Sequence, residues 1–530
     1  MTSHSIRTWL ACLLFGFAAS FLAASAGAQD FSAPSSIPPQ AAANEGPIAE
    51  LARMPAVTPA SNARVNELEQ RLAELETRLD AKDEKPAGAA GEGYEVGSDL
   101  GMSAKWNHGV EFSSKNKDFK IHVGGRTQVD AVGLWSEPGA LAGAGGVGDQ
   151  DAVDFRRARL RIDGTIYEFY EFAAEYDLMN TVNDDPTAGA TENNVINVPA
   201  PTDLWWSFKE VPYFQNIRVG NMKEPIGLEH MTSSRFLDFM ERSFNQDLFT
   251  GAFNNGFSPG IMAYDTIWDE RGAWAIGLFK NTANVFAYNT GDGEGALTGR
   301  FTYLPYYDEP TKGRYLWHVG VAGSVRDPDQ DRVRFRSRGS LRNGPGSLNP
   351  VFVDSGFVTC QQQTMFGLES AVVWGPWLFQ GEFIGSNLID AVGNGNGAPI
   401  GTPIGNPFVY GYYVEAMYFL TGEHREYESR AGGGAFGRVI PLENAYLIGH
   451  DGCRFFSRGA WQLGLRYSHA DVSDLGLDGG IVQDVTLGLN WFLNPNMKWQ
   501  FNYIYCHRDA RNSTNNGDID GIGVRFAHDF

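Results

Sequence analysis

Three arginines at two-residue spacing have the chemistry to bind a ligand. Arg157, Arg159 and Arg161 alternate with apolar residues such as Ala158 and Leu160. Side chains two residues apart in a β-strand lie on the same face, so the arginines share one face and the apolar residues share the other. A guanidinium group donates hydrogen bonds in a planar fork that suits phosphate and other oxyanions. The spacing therefore predicts a strand with an anion-binding face.

This arginine face has two interpretations. In the first, anions pass from one guanidinium group to the next along the strand. In the second, the arginines form salt bridges with Glu171, Glu175 and Asp177 on the next predicted strand and belong to an ordinary wall of a sheet. Alternation alone does not decide between the two.

Strand-like alternation continues from Phe119 to the C-terminal residue, Phe530. In the last segment Ile522, Val524 and Phe526 share one face, and an apolar face ending in an aromatic residue is typical of the closing strand of an outer-membrane barrel. Phe526 and Phe530 are the expected barrel-assembly signal. We predict an all-β fold: a transmembrane antiparallel β-barrel of about 16 strands, with a short N-terminal coiled-coil helix.

The solvent around such a barrel decides where its charges point. A charge that faces hydrocarbon costs about 2 to 4 kcal/mol near the bilayer midplane, so charged side chains are expected to face the lumen. Short and long connections alternate along the chain, as the two ends of a barrel require. The segment 421–458 breaks this rule, because its position calls for a short periplasmic turn.

A second alternating run of arginines occupies the predicted long loop 327–364 and consists of Arg332, Arg334, Arg336 and Arg338. It is either a basic funnel that attracts anions at the outer mouth or a solvated loop that can also bind anionic lipid headgroups.

The N-terminal part of the chain predicts export. Residues 1–28 carry a positive charge, an apolar run and a small-residue cleavage site, which together indicate a signal peptide. Residues 29–63 form an Ala-, Pro- and Ser-rich linker, residues 64–85 a short coiled-coil helix, residues 86–118 a second linker, and residues 119–530 the barrel. The coiled-coil seam consists of Val65, Leu68, Leu72, Leu75 and Leu79.

Net charge, motifs and cysteine spacing argue against several classes of function. The formal net charge of −21 without a long basic run argues against a nucleic-acid partner. The chain has neither a Gly-x-Ser-x-Gly nor a His-Glu-x-x-His motif, so we do not expect an enzyme. The cysteines match no metal motif, and we expect no cofactor.

Four stretches of the chain resemble the phosphate-selective porin O/P family. They are 154–160 (DFRRARL), 219–229 (VGNMKEPIGLE), 415–425 (EAMYFLTGEHR) and 488–495 (GLNWFLNP), in the family's order. The resemblance covers most of residues 119–530. It implies a trimeric porin of roughly sixteen strands with anion or phosphate selectivity, whose third long loop, here about 223–256, folds into the lumen.

On these grounds we assign an anion pathway. It consists of Lys120, Arg126, Arg157, Arg159, Arg161, Arg218, Lys223, Arg235, Arg242 and Arg466. The expected partners are small anions such as phosphate or polyphosphate, outer-membrane lipid, the barrel-assembly machinery and two further copies of the chain. Two alternatives stay open. The loop 223–256 holds more acids than bases, which fits a non-selective porin, and the N-terminal coil could tether the membrane to the cell wall.

Overall fold

The computed structural model of this protein describes the chain from residue 95 to residue 530. Within that range it leaves out residues 99, 138–139, 141–149, 184–194, 252–255, 282–294, 343, 345–348, 430–432, 449–453 and 510–515. The predicted signal peptide, the first linker and the coiled-coil seam lie outside the described residues.

Sixteen long strands make up the main sheet, as the alternation predicts. They are β1 (Phe119–Ser136), β2 (Gln150–Ile166), β3 (Tyr170–Asp177), β4 (Ala200–Val211), β5 (Gln215–Lys223), β6 (Phe257–Ile267), β7 (Gly272–Lys280), β8 (Gly295–Tyr307), β9 (Tyr315–Arg326), β10 (Gln362–Trp374), β11 (Trp377–Ile389), β12 (Phe408–Phe419), β13 (Ala460–Asp474), β14 (Leu477–Asn494), β15 (Met497–Asp509) and β16 (Gly517–Asp529).

The sheet closes on itself. Each strand pairs antiparallel with the next, and β1 pairs with both β2 and β16, so that Val129 lies opposite Phe526. Side chains alternate in exposure along each strand. In β14, for example, Leu487 is exposed and Thr486 is buried, because apolar residues face outward and polar residues face the lumen. The prediction of an antiparallel barrel of about 16 strands is confirmed.

Rings cluster on the outer face near the short turns. Trp377 contacts Tyr418, Trp461 stacks on Trp491, and Trp499 contacts Phe526. Such an aromatic band is typical of a membrane–water boundary. Among the described residues, no helix is long and apolar enough to cross a bilayer.

The sheet begins earlier than the predicted boundary at residue 119. Within the stretch read as a linker, Met102–Trp106 pairs with Val110–Ser114, and the second of these strands pairs with the start of β1. Further along β1, the backbone N–H of Gly125 donates to the carbonyl of Phe530 at 2.7 Å, so β1 joins this hairpin to the closing strand.

The connection between β5 and β6, residues 224–256, crosses the lumen, and we call it the third loop. It contains a short helix, Leu228–Met231, and a π-helical turn, Gln246–Thr250. Its far part contacts the opposite wall, where Lys498 Nζ of β15 donates to the carbonyl of Leu237 at 2.7 Å and the N–H of Met240 donates to Asn502 Oδ1 at 2.7 Å.

The long connection between β12 and β13, residues 420–459, also enters the barrel, from the short-turn end. We call it the inserted segment. Phe436 packs in a buried cluster with Leu228 and Phe239 of the third loop, and Tyr427 hydrogen-bonds the inward-facing His318 at 2.8 Å. Arg425 Nε donates to Asp238 Oδ2 at 3.2 Å. Two loops from opposite ends of the barrel therefore meet inside it.

The barrel seam gives a first testable prediction. A Cβ added at Gly125 would lie 2.6 Å from the carbonyl oxygen of Arg159 and 2.9 Å from the ring of Phe530. We expect Gly125→Ala to lower the free energy of unfolding by about 1–3 kcal/mol, because the seam must shift to admit the methyl group. Gly299→Ala is the control, since its Cβ would come no closer than 3.5 Å to a neighbour. Urea unfolding of both variants measures the effect, and equal midpoints would contradict it.

Candidate functional site

The barrel encloses a cavity of about 1040 Å³. Strands β1 to β6, the third loop and the loop 327–361 contribute its walls. Among the described residues, fifteen arginines and lysines and only seven aspartates and glutamates line it. The wall of this cavity is therefore strongly basic although the whole chain is acidic.

One part of the basic wall is a salt-bridge network around Glu175. Arg126 donates to both carboxylate oxygens of Glu175, at 2.7 and 2.9 Å, and Arg159 donates to one of them at 3.1 Å. Arg159 also donates to Asp177 at 2.7 Å. The other side of Arg126 faces the third loop, with Ser234 Oγ at 2.8 Å. This part of the arginine face is salt-bridged, as the second interpretation of its sequence describes, and it also lines the cavity.

The other two arginines of the face differ in their partners. Arg161 is held by Asp163 and Asp203, each at 2.8 Å. Arg157 donates to the amide of Gln128 at 2.8 Å and lies 3.5 Å from the carboxylate of Glu241. Glu171, which was considered as a partner of the arginine face, pairs with Lys209 instead.

Glu241 of the third loop joins the loop to the wall. Its carboxylate lies 2.7 Å from Arg156, 2.8 Å from Arg525, and within 4 Å of Arg157 and Arg342. Burial alone raises the pKa of this carboxyl group, but the surrounding arginines outweigh burial and hold the pKa well below its usual value. The carboxylate is therefore ionised whenever the barrel is folded near neutral pH.

Asp247 joins the third loop in the same way to the loop 327–361, which we call the arginine-rich loop. Arg338 contacts both of its oxygens at 3.0 Å, and Arg342 contacts one at 2.9 Å. Burial raises the pKa of Asp247, but these arginines lower it further than burial raises it, so it too is ionised. Glu241 and Asp247 therefore anchor the third loop through their salt bridges.

The arginine-rich loop forms a small hairpin at the long-loop end of the barrel. Arg332–Val333 pairs with Val358–Thr359, and Arg336–Arg338 pairs with Val351–Asp354. Val333 and Phe335, which alternate with the arginines, are buried in the apolar core, and the arginines line the cavity. The loop is therefore ordered, with its basic side turned to the lumen.

Among the described residues, five cations in the cavity lack a carboxylate partner, and three of them lie on β5 or on the third loop. Arg242 donates to the backbone carbonyls of Glu229 and Thr232, and Lys223 also donates to the Thr232 carbonyl. Arg218 lies 3.8 Å above the ring of Trp205 and donates to a tyrosine hydroxyl. Their charges are not cancelled locally, so these side chains have the greatest capacity to bind a passing anion.

The third loop also separates the main cavity from a smaller one of about 30 Å³ toward the short-turn end. Arg126, Arg235 and Phe236 border both cavities. Arg438 of the inserted segment lies over the Phe236 ring at 5.2 Å and is held by Asp529 at 3.0 Å. Arg126, Arg235 and Phe236 therefore form the boundary between the two cavities.

His230 also lines the main cavity. Burial, together with the nearby charges of Lys223 and Arg242, lowers the pKa of its imidazole well below the usual value. The ring is therefore neutral at pH 7 and adds no positive charge to the path.

Eight of the ten predicted pathway residues line the main cavity, and two do not. Lys120 lies at the short-turn end and pairs with Glu111 of the N-terminal hairpin at 3.4 Å. Arg466 is buried beneath the third loop, where it contacts Glu229 at 3.3 Å and the backbone of Glu241 at 3.0 Å. Both side chains point inward, because a charge that faces hydrocarbon is costly. However, Arg466 supports the third loop, and Lys120 lies at the short-turn end of the barrel.

Several cavity residues escaped sequence reasoning. Arg156 should face lipid by alternation, but a β-bulge places Arg157 opposite Gln128 and Phe155 opposite Val129, so that Arg156 turns inward as well. The cost of a charge in hydrocarbon is the signal that could have found it. Arg342 and the anchoring role of the loop acids depend on long-range contacts, and no local pattern reveals them.

A closed sixteen-stranded antiparallel barrel, an inward-folded third loop and a cation-rich interior define a porin of the bacterial outer membrane. The profile of the family described as phosphate-selective porin O and P matches residues 121–530, so the chain belongs to that family. Porin O of Pseudomonas aeruginosa is 25% identical over 456 residues, which cover 81% of this chain and 91% of that protein. The family resemblance seen in the sequence is confirmed.

Three further proteins align with most of this chain. An uncharacterised protein of Caulobacter vibrioides is 25% identical over 442 residues, covering 80% of this chain and 76% of its own length. The outer-membrane channel DcaP of Acinetobacter baumannii aligns with a TM-score of 0.46 at 12% identity, over 79% of this chain and 99% of that one. An anion-selective porin from Comamonas acidovorans aligns with a TM-score of 0.42 at 10% identity, over 78% and 100%.

The anchoring of the third loop predicts a large effect of one substitution. Glu241→Gln leaves several buried arginines without their carboxylate, so we expect the free energy of unfolding to fall by about 3–5 kcal/mol. The control is Glu309→Gln, because Glu309 is mostly exposed and, within the part of the chain that the structure describes, pairs only with Arg271 at 3.0 Å. We expect that variant to lose less than about 1 kcal/mol. Urea midpoints that are equal for the two variants would contradict the anchoring role.

The lowered pKa of Glu241 also predicts how this difference depends on pH. A carboxyl group with a lowered folded-state pKa contributes its full stability above the ordinary carboxyl pKa and loses it as pH falls through the lowered value. The stability difference between the wild type and Glu241→Gln should therefore be the same at pH 7 and at about pH 5. A difference that shrinks over this range, measured by urea unfolding, would contradict the ionised state.

Proposed function

We propose that this porin is an anion-selective channel that conducts phosphate across the outer membrane by passive diffusion. One observation carries the proposal. Among the described residues that line the cavity, basic side chains outnumber acidic ones by fifteen to seven. A cavity with walls of one charge sign concentrates ions of the opposite sign and repels the others. Membership of a family described as phosphate-selective supports the same substrate.

The arrangement of the basic groups fits conduction rather than tight storage. Conduction requires sites that are favourable enough to enter and weak enough to leave. Salt bridges to Glu175, Asp177 and Glu241 moderate several of the arginines, while Lys223 and Arg242 keep uncancelled charge at the third loop. An anion therefore meets several moderate sites in series, and Arg126, which donates a hydrogen bond to Ser234 of the third loop, borders both cavities.

The assembly of the protein belongs to the same proposal. In this proposal, a signal peptide at residues 1–28 directs export and is cleaved. The barrel-assembly machinery recognises Phe526 and Phe530 and inserts the barrel into the outer membrane. The channel then acts there as a homotrimer. The exposed apolar side chains of the outer face, such as Leu160 and Leu487, suit contact with lipid and with neighbouring subunits. The coiled coil at residues 64–85 stays a prediction.

Anion selectivity is tested best by replacing basic side chains that form no salt bridge with a described carboxylate. The double variant Lys223→Gln with Arg242→Gln removes two positive charges and leaves no described carboxylate without a partner. We expect the anion-to-cation permeability ratio to fall roughly twofold or more, because the field that attracts anions weakens. Lys312→Gln, at an exposed short turn outside the cavity, is the control and should leave the ratio unchanged.

The measurement is the reversal potential in a potassium chloride gradient across a planar bilayer, followed by addition of phosphate. Phosphate should block the chloride current of the wild type and block the double variant less. A wild-type channel with no anion preference and no phosphate block would establish a general diffusion porin instead.

A further inference from the structure

The arginine-rich hairpin carries an exposed aromatic side chain that does not belong to its buried apolar core. Phe357 is 56% exposed and lines the main cavity. By contrast, Val333 and Phe335 of the same hairpin are buried in the apolar core. An exposed phenyl ring at the mouth of a path for inorganic anions adds no attraction for them, because a hydrated anion gains nothing from an apolar surface.

Two guanidinium groups flank this ring. The Cζ atoms of Arg332 and Arg334 lie 5.3 and 5.2 Å from the Phe357 ring centroid. Arg334 is committed to Asp354, with its Nε 2.8 Å from Oδ1. Among the described residues, Arg332, in contrast, has only the side-chain oxygen of Gln330 as a hydrogen-bond partner.

A third arginine of the hairpin has no partner. Among the described residues, none forms a hydrogen bond or an ion pair with the guanidinium group of Arg336, which also lines the cavity. Asp354, its neighbour across the hairpin, is already taken by Arg334. Arg332 and Arg336 are therefore available to an anion in the cavity that Phe357 also lines.

The ring and the arginines are held in place by hydrogen bonds from a second loop. Asn394 Nδ2 donates to the carbonyl of Ser355 at 2.7 Å, and Asn396 Nδ2 donates to the carbonyl of Asp354 at 3.2 Å. Ser355 Oγ in turn accepts from the N–H of Phe335 at 2.9 Å. A site that is ordered before its ligand arrives loses less entropy on binding.

We infer that Phe357, Arg332 and Arg336 form a recognition site at the channel mouth for organic phosphates that carry an aromatic group. The phosphate binds the two uncommitted guanidinium groups, and the aromatic group packs on the phenyl ring. This inference rests on the proposed anion function and narrows its substrate class. The cavity of about 1040 Å³ has room for such a molecule.

The test compares phenyl phosphate with methyl phosphate at a pH where both are dianions. Both probes are added to the full-length channel in a planar bilayer, and the concentration that halves the chloride current is recorded. Phenyl phosphate should block at a concentration roughly threefold to tenfold lower than methyl phosphate, which is the range expected from one added aromatic contact.

Variants identify the site. Phe357→Leu should abolish the preference for phenyl phosphate and leave block by methyl phosphate unchanged, whereas Phe357→Tyr should keep the preference because it retains the ring. Phe379→Leu, at an exposed outward position on β11, is the matched control and should behave as the wild type. Arg332→Gln with Arg336→Gln should weaken block by both probes.

The outcomes separate this inference from the function on which it rests. Equal block by the two probes in the wild type, or an unchanged preference in Phe357→Leu, overturns the aromatic site while block by methyl phosphate still supports an anion channel. A channel that no phosphate blocks and that does not prefer anions overturns both.

Discussion

The cost of exposing charge to hydrocarbon is the constraint on which this structure depends. A charged side chain that faces lipid costs about 2 to 4 kcal/mol at the midplane, so the barrel turns its charges inward, even Arg156, which alternation assigns to the outer face. Crowding like charges into a lumen is itself unfavourable, and the protein resolves it with buried carboxylates such as Glu175 and Glu241. The electrostatics of the pore follow from that pairing.

The same pairing reconciles an acidic chain with a basic lumen. The formal charge is −21, and the third loop holds more acids than bases. In the folded protein, however, Glu241 and Asp247 bond to wall and loop arginines, and Asp238 bonds to Arg425 of the inserted segment. The acids position the loop and cancel part of the surrounding charge. The cations that lack a carboxylate then determine what the cavity attracts.

Much of the fold could be predicted because barrel strands carry a local signal. Alternation in β14, for instance, assigns Leu487 to the lipid and Thr486 to the lumen without any knowledge of neighbours. The site was only partly predictable. Alternation places Lys120 and Arg466 inward but cannot say that one lies at the rim and the other beneath the third loop. Depth and cover depend on loops, whose paths no periodic pattern describes.

The sequence by itself determined that this chain is an antiparallel barrel with inward-facing arginines, because the bilayer imposes a period of two on every strand. Only the tertiary structure decided which arginines are neutralised, since Arg126 meets Glu175 and Arg338 meets Asp247 across many intervening residues. It also decided that residues 420–459 enter the barrel and support the third loop. Such contacts arise from chain closure and loop packing, which act over distances that local alternation does not encode.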